Sequence, residues 1–289
     1  MKKETSTMAS RAALWFLWLL SLSLTTEILA TENDSYSWSN ILQLLEAQCV
    51  AKTGDHEDLE KGKELTHKNY CESWRFNVEL HNIRDFNSIP DECASSVGKY
   101  MSSSLYKSDV RRVAHEASRF LTNSFRLAGD SRDAWVFDVD DTLISTVPFY
   151  KKHHFGAIVD CRSDPPDRAS LEKWMEKGKA TVIDDMLSLF REINSKGLDI
   201  FIISWRPEHL RAATVDNLFK AGYHGWTKLI LRCDEESYVD AQSYKSEQRK
   251  KLVEQGYRLW GIVGSQWSSL TGHSTAKRTF KLPNPMYYL

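Results

Sequence analysis

Four short segments are almost continuously apolar: Ala134 to Val139, Asp199 to Ser204, Lys228 to Leu231 and Leu259 to Val263. Runs of this length without polar alternation suit strands buried on both faces of a parallel sheet. Between them the apolar positions change period. Ile183, Met186, Leu187, Phe190 and Ile193 recur at helical spacing and stop at Gly197, and Leu210, Thr214, Leu218 and Ala221 do the same before Gly222. Glycine just past the last periodic residue is a helix stop signal. A third helix is predicted from Ser246 to Gln255, closed by Gly256. Alternating strands and helices predict an α/β, doubly wound parallel sheet, in which ligands sit beyond the carboxyl ends of the strands.

Upstream, from Ser37 to about Phe125, the pattern is helical and locally irregular. Ile41, Leu42, Leu44 and Leu45 suggest a first helix. A second is expected from Ser108 as N-cap, with Val110, Val113, Ala117, Phe120 and Leu121 on one face. Cys71 to Tyr100 reads as an ordered connector rich in turn formers. At the very start, Lys2, Lys3 and Arg11 precede an apolar stretch from Ala12 to Leu24. That stretch has about 13 residues where a membrane span needs roughly 20. A basic start, a short apolar run and a small residue near Ala30 form the layout of a secretory signal peptide. The expected organisation is a signal peptide over 1–30, a helical region over 31–129 and the α/β core over 130–289. An insertion is expected within the core at about 146–179.

A secretory route makes disulfides available to Cys49, Cys71, Cys93, Cys161 and Cys233. The preferred pair is Cys71 with Cys93, and an odd total of five leaves at least one thiol over. Asn33-Asp-Ser35 is a glycosylation sequon just beyond the expected cleavage point. No retention tetrapeptide ends the sequence, so the cell exterior, cell wall or a vacuole is the expected destination. A formal net charge of -1 argues against nucleic-acid binding, and Lys277, Arg278 and Lys281 are too few to alter that. The nine histidines lack the spacing of a dinuclear metal centre, and no Arg-His-Gly stretch occurs.

The sharpest chemistry lies where the first apolar strand ends, at Asp138-Val-Asp-Asp-Thr-Leu143. Asp138 and Asp140 are two residues apart and share one side of the local chain. Close carboxylates call for a cation between them or a retained proton. That suits one as nucleophile and the other as general acid, with a hard cation beside phosphate charge. An Asp-rich turn or a calcium loop is the structural alternative, and Thr142-Leu143 breaks the spacing of an EF-hand.

This segment resembles motif I of the haloacid dehalogenase superfamily, chiefly phosphatases. Cys71-Glu-Ser-Trp-Arg-Phe-Asn-Val-Glu-Leu80, Tyr244-Lys-Ser-Glu247 and the tail Phe280 to Tyr288 narrow the resemblance. They are similar to plant acid phosphatases and vegetative storage proteins. The resemblance implies a haloacid dehalogenase-like fold with helical N-terminal and inserted cap elements. It also implies a small phosphomonoester as substrate; a homodimer is compatible with it, and no membrane partner is expected after signal cleavage. Asp138 matches the nucleophile that forms an aspartyl-phosphate, and Asp140 the acid/base. Thr142, Ser204 and Lys245 match phosphate-binding positions, and Asp138 and Asp140 the Mg2+ ligands. Arg206 is either an added donor or, more in keeping with its position, an exposed arginine at a helix start.

One departure bears on mechanism. The family's fourth motif carries Gly-Asp at a strand end, and here Gly264 is followed by Ser265, with Ser269 offering no acidic substitute. The resemblance therefore implies a weakened Mg2+ site. Three readings follow: a secreted acid phosphatase, a vegetative storage protein with little or no activity, and, more weakly supported, a phosphate-binding or interaction module using the same cradle.

Overall fold

A computed structural model of the chain describes residues 56–86, 88–156, 167–233 and 239–289. The signal-peptide segment, the helix expected near Ile41, Asn33, Cys49 and Cys161 lie outside the described residues. By its internal contacts the chain divides into units Met1–Thr66 and His67–Leu289. The helix α1, His56–Glu79, enters the second unit at His67. There it is followed by α2 (Asp91–Met101) and α3 (Ser104–Ser124).

The segment expected to be a connector is therefore mostly helix. Cys71 lies in α1 and Cys93 in α2, and a disulfide joins them with Cα atoms 5.2 Å apart. The disulfide fixes the two helices across the turn, and Trp74, Val78, Ile89 and Val97 are buried around it. Closing a loop with a sequence separation of 22 should stabilise the fold by about 3 kcal/mol, chiefly through the unfolded chain. A Cys71→Ser, Cys93→Ser protein is expected to lose about that much in urea unfolding; a loss near zero would mean that packing alone holds the helices. The α3 start also differs from expectation. Ser103 is its N-cap and accepts from the Tyr106 amide at 3.2 Å, while Ser108 sits inside the helix and donates to the Ser104 carbonyl.

The core follows: β1 (Asp133–Phe137), β2 (Ile144–Ser145), α4 (Val147–Lys152), α5 (Arg168–Met175), β3 (Thr181–Val182) and α6 (Asp184–Ser195). Then come β4 (Asp199–Pro207), α7 (Arg211–Lys220), β5 (Lys228–Arg232), α8 (Ala241–Glu254), β6 (Arg258–Gly264), α9 (Trp267–Leu270) and β7 (Arg278–Lys281). All four expected strands are present. The edge strand β7 was not expected, because Arg278-Thr-Phe-Lys281 has a single deeply buried position, Phe280. α8 begins five residues before its expected start, since the Asp240 carboxylate caps it by accepting from the Ser243 amide at 2.9 Å.

The five-stranded sheet has the order β5-β4-β1-β6-β7, and every neighbouring pair is parallel. Alternate residues of β1 point to opposite faces, so each face gains its own core. Trp135 and Phe137 join Met186, Phe190 and Ile193 on one face. Ala134 and Val136 join Phe201, Tyr244, Leu252 and Ile262 on the other. Gly261 is required beside Trp135, since a Cβ there would come within 2.4 Å of the indole ring. The chain leaves β1 towards β4 and β5 on one side and returns as β6 and β7 on the other. Such a reversal opens a crevice at the carboxyl end of the central strand. That end is where Asp138 begins.

Candidate active site

Asp138 continues the sheet: its amide donates to the Val263 carbonyl at 3.1 Å. Beyond it the chain closes a tight loop, in which Asp141 adopts φ 50°. The amides of Thr142, Leu143 and Ile144 turn back onto the Val139 carbonyl. The loop holds Asp138 and Asp140 at the strand tip, and each meets a different cation.

Lys245, on the second turn of α8, donates from Nζ to Asp138 Oδ2 at 2.8 Å and to Ser269 Oγ at 2.9 Å. Ser269 Oγ in turn donates to Asp138 Oδ2 at 2.7 Å. The ion pair is deeply buried, with 2% and 6% of its side chains exposed. Asp138 Oδ1 accepts from the Val139 amide at 2.8 Å. One turn further along α8, Arg249 is buried and, among the described residues, meets no carboxylate. It donates instead to the carbonyls of Ser269 (2.9 Å), His273 (3.3 Å), Ser274 (3.2 Å) and Thr271. Burial pushes its guanidinium down to about 10. Arg249 thereby seats the segment that delivers Ser269 to Asp138.

Arg206 is the main correction to the sequence reading. It is neither exposed nor at a helix start: β4 runs on to Pro207, and Arg206 is 2% exposed. Its Nε donates to both Asp140 carboxylate oxygens (3.2 and 3.0 Å), Nη2 donates to Oδ1 at 2.7 Å, and Nη1 to Thr214 Oγ1 at 3.1 Å. The period of a strand contained the signal, since residues two apart on β4 share a face. Ser204, fully buried, accepts from the Arg206 amide at 3.2 Å. Thr142 is committed to backbone: its hydroxyl donates to the Asp140 carbonyl at 3.3 Å and accepts from the Ser265 amide at 3.0 Å. Ser265 Oγ donates to that same Asp140 carbonyl at 2.9 Å.

Asp141, not singled out from the sequence, is fully enclosed. Burial pushes its carboxyl up to about 6, against the opposing hydrogen bonds from the Thr146 hydroxyl and amide and the Tyr287 hydroxyl. A carboxyl raised in the folded state favours folding most where it keeps its proton. Its contribution is full below the ordinary value of 3.8 and is lost as pH rises to about 6, on the order of 3 kcal/mol in all. The stability difference between wild type and Asp141→Asn should therefore favour wild type most near pH 4 and decline by the end of that window. Asp133, Asp240 and Glu208, whose carboxyls are held below their ordinary values, run the other way, but they are common to both proteins. A pH-independent difference in melting temperature would show that Asp141 does not titrate in this range.

Tyr287 also stacks on Tyr150, ring centroids 5.4 Å apart. These two rings, with Phe149, Leu171 and Trp205, wall a pocket of about 250 Å3 that reaches Asp140 and Arg206. Apolar walls with a few convergent charges at one end are the usual form of a small-molecule site.

A Mg2+ ion asks for near-octahedral oxygen donors, commonly carboxylates and water. Here both Asp138 oxygens already accept hydrogen bonds, Arg206 clamps Asp140, and two hydroxyls point at the Asp140 carbonyl. Among the described residues no three His, Cys, Asp or Glu converge on one point. The residues present do not fit this ion.

A parallel sheet that delivers two carboxylates to its central strand tip, with a lysine and a buried hydroxyl facing them, defines a haloacid dehalogenase-like phosphatase site. The family described as HAD superfamily, subfamily IIIB (Acid phosphatase) matches residues 56–289, and the chain belongs to it. It is 42% identical to Acid phosphatase 1 of Solanum lycopersicum over 227 residues, 78% of this chain and 86% of that protein. It is 35% identical to Vegetative storage protein 1 of Arabidopsis thaliana over 277 residues, 94% of this chain and 98% of that one. The Stem 28 kDa glycoprotein of Glycine max is 39% identical, covering 76% and 84%. Among solved structures, the class C acid phosphatase from Bacillus anthracis with tungstate bound shares the fold. Its TM-score is 0.56 at 19% identity, covering 68% of this chain and 85% of that one.

Proposed function

We propose that the protein hydrolyses small phosphomonoesters through an aspartyl-phosphate on Asp138. The observation that carries this is the buried Asp138–Lys245–Ser269 cluster at the tip of β1, beside Asp140 at the end of the pocket. Asp138 attacks phosphorus while the ester P–O bond breaks. Asp140, oriented by Arg206, takes up a proton as the anionic substrate binds, gives it to the departing oxygen, then takes one from the water that cleaves the acyl phosphate. Phosphate leaves, and Asp138 is restored. Lys245 and the Ser204 hydroxyl offset charge on the phosphoryl oxygens, where preorganised donors act most strongly. Thr142 supports the loop from behind through its backbone hydrogen bonds. The superfamily generally uses Mg2+, and the donor set at this strand tip does not match that ion.

The test is hydrolysis of an aryl phosphate at mildly acidic pH, run in 18O-labelled water as a single turnover with enzyme in excess. The released phosphate should carry the label, and quenched enzyme should carry phosphate on the peptide containing Asp138. Phosphate found on another residue, or none at all during turnover, would sink the mechanism.

A second reading is favoured by one observation. Ser265 and Ser269 supply hydroxyls where the resemblance implies acidic metal-site chemistry, which suits a vegetative storage protein with residual turnover. The apolar leader, the Asn33 sequon and the Cys71–Cys93 disulfide support a secretory route ending in cell wall or vacuole. The relatives named as stem glycoproteins and vegetative storage proteins agree with that route. No helix among the described residues is long and apolar enough to cross a membrane.

A further inference from the structure

We propose that this cradle holds a phosphate-type dianion without a divalent ion, its positive charge supplied by Arg206 and Lys245. The proposal rests on the reading of the cradle as a phosphoryl site and concerns what neutralises the bound anion. Two carboxylates and two cations meet at the strand tip, each carboxylate with its own cation at 2.7 to 2.8 Å. With both carboxylates ionised the four charges cancel, and with Asp140 protonated, as the acid step requires, the cluster carries one net positive charge; neither state offers a Mg2+ ion surplus negative charge. The third carboxylate of the loop, Asp141, is spent on Ser145, Thr146 and Tyr287.

The two serines complete the argument. Ser265 Oγ donates to the Asp140 carbonyl and accepts from Asn284 Nδ2 at 3.3 Å. Ser269 bridges Lys245 to Asp138. Both hydroxyls serve as internal donors, and neither adds a charge.

An anion, by contrast, finds donors to spare. An ammonium has three hydrogens and Lys245 uses two; a guanidinium has five and Arg206 engages one Nε, one Nη1 and one Nη2 direction. Ser204 accepts from Arg206, and among the described residues its own hydrogen has no acceptor. Arg206 and Lys245 are each 2% exposed, so their charges act where water screens little. A guanidinium, an ammonium and a buried hydroxyl are the donor types suited to a tetrahedral oxyanion.

The experiment is calorimetric titration of the purified protein with inorganic phosphate, once in chelator and once in millimolar Mg2+. The two dissociation constants should agree within about twofold, and Arg206→Met should weaken binding in chelator by about tenfold, the loss of one charge-assisted contact. In Ser265→Asp, the added carboxylate should make Mg2+ tighten phosphate by about tenfold or more. Wild-type binding that strengthens about tenfold with Mg2+, or an Arg206→Met protein that binds as wild type does, would overturn the proposal and leave the phosphatase reading standing. A folded Ser265→Asp protein indifferent to Mg2+ would overturn the role given to the serine. Absence of phosphate binding under both conditions would overturn this proposal and the phosphatase reading together.

Discussion

Asp138→Asn should lower aryl phosphate turnover by about 10^4-fold or more while leaving the protein folded. Asparagine keeps the shape and one oxygen acceptor for Lys245 and Ser269, which lie 2.8 and 2.7 Å from Asp138 Oδ2, but it leaves the buried Lys245 charge without a counter-ion, so the melting temperature should fall as well. What it lacks is a carboxylate able to form an acyl phosphate. The measurement is kcat beside a thermal melt, with phosphate binding as a third readout. Removing one negative charge next to the bound dianion should leave phosphate affinity equal or tighter. A variant that keeps turnover within about tenfold of wild type would move the reacting group elsewhere, with Asp140 the next candidate. If wild type itself shows no turnover above Asp138→Asn, the storage reading gains, because the nucleophile is then present without use.

The second large effect is expected from Lys245→Met, and it falls on stability as well as rate. Lys245 and Asp138 form a pair nearly closed to water, 2% and 6% exposed. Removing one partner of such a pair leaves a buried charge uncompensated and costs about 3–5 kcal/mol. Loss of a cation that faces the phosphoryl group should cost a further 10^2 to 10^3-fold in rate, on the order expected for one preorganised donor. The double variant Asp138→Asn, Lys245→Met separates the two effects. It should recover much of the lost stability, since no unpaired charge remains, and none of the activity. Urea unfolding of the four proteins reads this directly. A Lys245→Met protein destabilised by less than about 1 kcal/mol would show that water reaches Asp138 readily.

The arrangement of charges also bears on how far this chain has moved from its phosphatase relatives. Asp138, Lys245 and Ser204, which the resemblance matches to the nucleophile, the motif III lysine and the motif II hydroxyl, are present, and Ser265 and Ser269 stand in the fourth motif. Arg206 turns that loss into a balanced cluster rather than a broken one. A cluster held this firmly is compatible with slow chemistry on a bound phosphate. It equally suits a protein that keeps phosphate binding after turnover has faded.

The sequence by itself determined four of the sheet's five strands, the helices between them and the acidic strand tip. Those features are local: a strand buried on both faces must be apolar throughout, and a helix packed on one side must repeat every three or four residues. Asp138 and Asp140 stand out because they interrupt such a run. Where local signals competed, the reading slipped. Ser108 resembles a cap, yet Ser103 serves as one, and the polar residues after Cys71 concealed two helices joined through a disulfide. Strand β7 shows one deeply buried position and so left no period to detect. Which cation meets which carboxylate was decided only by tertiary structure. Arg206 lies 66 residues from Asp140 and Lys245 107 residues from Asp138. They meet because β4 lies beside β1 in the sheet and α8 runs from β5 across to β6, an order that no local pattern encodes. The same holds for Arg249 beneath Ser269 and for Tyr287 against Asp141. A buried charge must find its partner, and only the packing of distant elements decides which one it finds.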